Sequence, residues 1–121
     1  MNRKIVIQSK QIFESQEDFV TEENDAEVIV DENSFEVSYE GSKIKFCKDK
    51  LIIERDNMAL EICLNENTTT NYNTPYGAID LEVCGREFYF SKEPFLFRVS
   101  YEIKFGNNSE YLNELQISFK D

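Results

Sequence analysis

Residues 95–105 read Phe95-Leu96-Phe97-Arg98-Val99-Ser100-Tyr101-Glu102-Ile103-Lys104-Phe105: every odd position is apolar or aromatic, and every even position after Leu96 is polar or charged. A strand sends successive side chains to opposite faces, so this run predicts a β-strand with one wholly apolar face and one solvated face. Shorter runs of the same kind surround it. They are Phe35, Val37, Tyr39; Ile44, Phe46; Leu51, Ile53; Met58, Leu60, Ile62, Leu64; Ile79, Leu81, Val83; Phe88, Phe90; and Leu115, Ile117, Phe119. Between them stand the turn signals Glu40-Gly41-Ser42, Lys48-Asp49-Lys50, Arg55-Asp56-Asn57, Cys84-Gly85-Arg86, Lys92-Glu93-Pro94 and Gly106-Asn107-Asn108. This is the spacing of short antiparallel hairpins.

Residues 1–33 are less regular. Ile12, Phe13, Phe19 and Val20 would suit a helix face, but Ser15 and Gln16 interrupt it. With Ile5, Ile7, Val28 and Val30 on either side, two longer strands over about 3–14 and 17–30 are the preferred reading. The runs then number about nine to eleven strands with no helix. Polar faces this regular argue for one sheet that curls and closes on itself, hiding its edges, over a helix-covered sheet. The expected fold is all-β: a single antiparallel closed barrel of about 8–10 strands in meander order, spanning residues 1–121 as one domain.

Charge and composition narrow the function. The 121 residues hold 13 Lys and Arg against 24 Asp and Glu, a net charge of −11, with no His and no Trp. Without His there is no Ser-His-Asp or Cys-His site and no imidazole metal cluster or pH switch. So negative a chain lacks the basic footprint that nucleic acid and anionic membranes require. Eleven acids and no base lie between Glu14 and Glu40, matching the whole net charge. They read as a solvated outer face of the first strands that also deters edge pairing, or as an acidic interaction face for a basic protein, centred on Glu22, Glu23, Asp25, Asp31 and Glu32. No calcium-loop spacing occurs among them, so no metal and no cofactor are expected.

Cys47, Cys63 and Cys84 are odd in number and widely spaced, and read as reduced thiols. The N-terminus shows no apolar signal segment, which points to the cytoplasm.

Four residues are candidates for ligand contact. Arg55 shares the parity of Leu51 and Ile53, so it points inward near a strand end, where a guanidinium must find an anion, either a carboxylate of the chain or a ligand. Tyr39 and Tyr101 lie on the apolar parity of their strands, and Tyr76 sits in Thr74-Pro75-Tyr76-Gly77, a turn sequence at a barrel mouth. The phenylalanines, ten in all, favour an interior filled by side chains over an enclosed cavity.

The stretch Asn73-Thr74-Pro75-Tyr76-Gly77-Ala78-Ile79-Asp80-Leu81-Glu82-Val83 resembles the YwiB-like family of small bacterial calycin-like barrels of unknown function. Val37-Ser38-Tyr39-Glu40, Leu51-Ile52-Ile53-Glu54-Arg55-Asp56-Asn57 and Val99-Ser100-Tyr101-Glu102-Ile103 fit the same family in order. The resemblance implies a barrel of eight or more strands with a lipocalin-like outline and no assigned activity. Absence of Trp separates the chain from standard lipocalins. The odd spacing of Arg98 and Tyr101 puts them on opposite faces, unlike the carboxylate clamp of fatty-acid carriers. The function expected is non-enzymatic binding of a small anionic or apolar ligand at the barrel mouth, with protein–protein contact through the acidic face as the alternative. The oligomeric expectation is a monomer or homodimer.

Overall fold

A computed structural model describes residues 1–55, 58–105 and 109–120, with the backbone alone at residues 72–74 and 109. The strands are β1 (Asn2–Phe13), β2 (Gln16–Val30), β3 (Ser34–Tyr39), β4 (Ser42–Cys47), β5 (Lys50–Arg55), β6 (Met58–Cys63), β7 (Asn67–Thr74), β8 (Gly77–Ser91), β9 (Leu96–Phe105) and β10 (Ser109–Phe119). They form one ten-stranded sheet in the order β6-β5-β4-β3-β2-β1-β10-β9-β8-β7, and every neighbour is antiparallel. The first and last strands pair with each other along Ile5↔Phe119 to Ile12↔Leu112, so the sheet curls into a nearly closed barrel whose seam lies between β6 and β7. Among the described residues there is no helix, and hence none long and apolar enough to cross a membrane.

Alternation decides what is inside. Ile5, Val37, Ile44, Leu51, Ile62, Val83, Phe97 and Ile117 are essentially inaccessible and come from eight different strands. At β3–β4 the turn residues Glu40 and Gly41 both have positive φ (42° and 77°), the two-residue geometry that matches the twist of a hairpin. The expected turns at Asp56-Asn57 and Gly106-Asn107-Asn108 lie outside the described residues.

One turn is corrected. Cys84-Gly85-Arg86 is no turn: β8 runs unbroken from Gly77 to Ser91, with a bulge between Gly85 and Glu87 in its pairing with β9. The extra residue explains why the inward positions change from odd (Leu81, Val83) to even (Phe88, Phe90). And Asn67–Thr74, with no apolar alternation, is nevertheless a strand. Its Thr68 hydroxyl donates its one proton to the Glu61 carbonyl on β6, so β7 joins the seam through side-chain oxygen instead of apolar burial.

The seam closes lower down by backbone contact. The Asn65 N–H donates to the Gly85 carbonyl at 2.8 Å, and Leu64 bridges Gly85. A Cβ on Gly85 would lie 2.7 Å from the Cys63 carbonyl oxygen, so only glycine lets the two walls meet.

The barrel walls differ in height. Strands β3 to β6 have six residues each, whereas β1, β2 and β8 have 12, 15 and 15. The β1–β2, β3–β4, β5–β6, β7–β8 and β9–β10 turns share one end, here the upper end, with the termini at the other. At the upper end the tall wall of β2, β1, β10, β9, β8 and β7 rises past the low wall.

Candidate functional site

The register puts Tyr39 opposite Ser42 and Glu54 opposite Lys43, so Arg55 falls level with Ser42 and Tyr39 in one row at the rim of the low wall. Arg55 keeps the inward parity of the buried Leu51 and Ile53, but the wall ends there and the residue is exposed. Its guanidinium is near enough to the Tyr39 hydroxyl to act on it directly, and its charge reaches the Tyr101 hydroxyl from the facing wall. Arg55 and Tyr39 are therefore neighbours at the rim, and Tyr101 lies within range of the Arg55 charge.

Burial pushes the Tyr39 hydroxyl above its ordinary pKa, Arg55 opposes that shift, and the charges of Glu22 and Glu40 add to it. Burial pushes Tyr101 up as well, against Arg55. Both phenols are thus held protonated near neutral pH and can donate hydrogen bonds.

The row opens on a hollow of about 560 Å³ bordered by Tyr39, Gly41, Ser42, Lys43, Glu54 and Arg55. Across the mouth Tyr101 borders a second hollow of about 210 Å³ with Gln11, Asp18, Val20 and Asn113. Below these the interior is solid. Phe97 packs at 4.9 Å from Phe35 and 4.8 Å from Phe46 between ring centroids, and Phe88, Phe90 and Phe95 complete the plug. The expectation of a filled interior holds for the lower half, where the phenylalanines pack ring against ring.

Arg55 differs from the other three arginines. Arg3 lies 4.1 Å over the Phe119 ring, Arg86 bonds Glu102 at 2.9 Å, and Arg98 faces the Tyr89 ring at 5.5 Å on the outer face. Arg98 and Tyr101 point to opposite faces, as their spacing requires. Among the described residues no carboxylate lies within ion-pair distance of Arg55.

Tyr76 does not join this set. It occupies the β7–β8 turn, is 99% exposed, and stands nine residues along β8 from Gly85, the partner of Tyr101. That is roughly 30 Å along the strand, beyond the reach of one small ligand.

The five residues expected to make one acidic face do not share a face. Glu22 pairs across with buried Ile7 and so faces inward, while Glu23 and Asp25 face outward. Glu23 is held by Lys120 at 2.6 Å, which lowers its carboxyl pKa. Asp31 and Glu32 sit in the β2–β3 turn at the lower end, and Glu32 pairs with Lys92 at 2.9 Å. Among the described residues no group of three or more acids, cysteines or histidines is arranged to hold a metal ion, and the three cysteines are free thiols.

Gln11 and Asn113 escaped the sequence reading, although the signal was there. Each continues the parity of apolar residues (Ile5 and Ile7; Leu115 and Ile117), and a polar residue on that parity marks where the interior meets water.

Comparison with known proteins agrees with the geometry. No curated protein matches the chain. Among solved structures, the crystal structure of the ywiB protein from Bacillus subtilis superposes with a TM-score of 0.71, covering 99% of this chain and 94% of that one at 13% identity. That likeness shows the shared fold. Residues 5–117 match the family model described as a domain of unknown function, DUF1934. The chain therefore belongs to the DUF1934 family, the YwiB-like barrels.

Proposed function

We propose that the protein is a non-enzymatic binding protein that holds a small anionic molecule at the upper rim, its negative group between Arg55, Tyr39 and Tyr101. The observation that carries this reading is the state of Arg55: in a chain of net charge −11, it is the one arginine with neither a carboxylate nor a ring partner among the described residues. A guanidinium beside the Tyr39 phenol, with the Tyr101 phenol within range of its charge, offers an anion charge-assisted donors at one end of the barrel. Glu22 and Glu40 set a limit on the ligand, since a second negative group would face repulsion there. The Phe plug restricts it to a molecule seated at the open end. We place it in the cytoplasm, a reading that three free thiols support.

The test is an NMR titration of isotope-labelled protein with hexanoate and, separately, inorganic phosphate. Saturable shifts are expected at the amides of Tyr39 and Tyr101 and at the Arg55 Nε–H. Arg55→Ala should weaken binding by about 10- to 100-fold, the worth of a charged hydrogen bond, while leaving the spectrum folded. Equal affinity in wild type and variant, or no saturable shift with either probe, would overturn the assignment.

A further inference from the structure

The whole length of β2 pairs with β1, from Asn2↔Glu27 to Phe13↔Gln16, but its other edge pairs with β3 only over Glu27–Val30. Among the described residues, no strand covers that second edge from Gln16 to Ala26, a stretch of roughly 37 Å. Gln16 to Glu23 are all exposed, although they form regular strand. Phe19 on one face is 63% exposed and Val20 on the other is 50% exposed. A regular strand without proline or bulge, carrying exposed apolar side chains on both faces, is the kind of edge that accepts a further strand.

We infer that the Gln16–Ala26 edge of β2 is a docking site for an extended basic segment of another protein, which adds to the sheet as an antiparallel strand. Charge selects the occupant. Asp18 and Glu22 flank Val20 on the inner face, and neither has an ion-pair partner among the described residues. An incoming strand with cations opposite these two acids and apolar side chains opposite Phe19 and Val20 satisfies every position. Its pattern, read in its own direction, is basic, small polar, β-branched, aromatic, basic. A second copy of this chain fits badly. In the antiparallel register centred on Val20, Asp18 would face Glu22 of the other copy twice, and like charges directly opposite are destabilising.

The probe is a fluorescein-labelled peptide, Gly-Lys-Thr-Val-Phe-Lys-Gly, followed by anisotropy and by amide hydrogen exchange on the intact protein. Binding is expected to slow exchange at alternate amides between residues 17 and 26, because main-chain hydrogen bonds form along the edge. It should weaken at least fivefold in the Asp18→Asn/Glu22→Gln variant and as salt rises from 20 to 300 mM, roughly a fourfold shortening of the screening length. Binding without protection of these amides, equal binding of the Glu-for-Lys peptide, or no binding at millimolar peptide would overturn the proposal. So would a dimer in sedimentation whose β2 amides are already protected, since a second copy would then be the occupant.

Discussion

The lower and upper halves of this barrel are built by the same strands yet obey different rules. In the lower half every wall has an opposite wall, and alternation buries its apolar parity: Ala26 and Val28 on β2, Ile5 and Ile7 on β1, Ile117 and Leu115 on β10. Higher on the same strands, the low wall has ended. The same parity on β2 then carries Asp18, Val20 and Glu22, all exposed, and on β1 it carries Ser9 and Gln11. Strand pairing on β1 and β2 therefore continues over a thinner apolar layer, in which Phe13 stacks on Tyr111 and Leu115 stays buried beside Ser9. The lower half supplies stability; the upper half supplies surface, and the residues at their boundary, Tyr39, Tyr101 and Arg55, touch both.

The largest test of this division is Phe97→Ala. Phe97 is wholly buried and packs against Phe35, Phe46 and Phe88. Truncation should cost about 3–5 kcal/mol, a large part of what a domain this size possesses, measured from urea unfolding. A loss under about 1 kcal/mol would show that the plug is loosely packed and that the interior is open to ligand after all.

Next comes the seam. Gly85→Ala forces a methyl group toward the Cys63 carbonyl and the Ile62 side chain, contacts of 2.7 and 3.1 Å that the backbone must relieve. A destabilisation of about 1–3 kcal/mol is expected, with faster exchange of the Asn65 amide, whose bond to Gly85 closes the barrel. An unchanged Asn65 amide would mean that the seam opens and closes without this contact.

One strand contains its own control. Val28 and Val20 are both valines on the inward parity of β2, at 1% and 50% exposure. Val28→Thr buries a hydroxyl and should cost about 1–3 kcal/mol. Val20→Thr should stay within about 0.5 kcal/mol of wild type. Similar costs at both sites would erase the distinction between the halves.

The same distinction explains what was legible in the sequence. Alternation in Phe95–Phe105 states which face a side chain takes, and that reading held on every strand where it was made. It does not state whether another wall stands opposite, so Ile79 on the apolar parity of β8 is 40% exposed. The inward parity of Arg55 was readable from Leu51 and Ile53, but the ending of the low wall was not. The change of parity between Val83 and Phe88 was visible and has two physical causes that look alike in sequence, a turn or a bulge; only the approach of Cys63 to Gly85 separates them. Strand β7 was illegible because its job at the seam is done by the Thr68 hydroxyl bond to Glu61, which leaves no hydrophobic period.

The smallest effect belongs to the boundary tyrosines and appears only in alkali. Burial raises the pKa of both Tyr39 and Tyr101 above the ordinary value of 10.0. A phenol whose folded pKa is raised binds its proton more tightly in the folded state. Its contribution to stability is therefore complete below the unfolded pKa and is lost as pH rises through the folded one. Unfolding midpoints should accordingly fall above about pH 10, and fall less steeply in Tyr39→Phe/Tyr101→Phe, which has no phenol to ionise at the rim. Arg55 gives this test its direction. Its positive charge opposes the shift at both hydroxyls, so Arg55→Ala should steepen the alkaline loss. If that variant instead leaves the alkaline limb unchanged, Arg55 stands away from the two phenols, and the rim loses the cluster of donors on which anion binding depends.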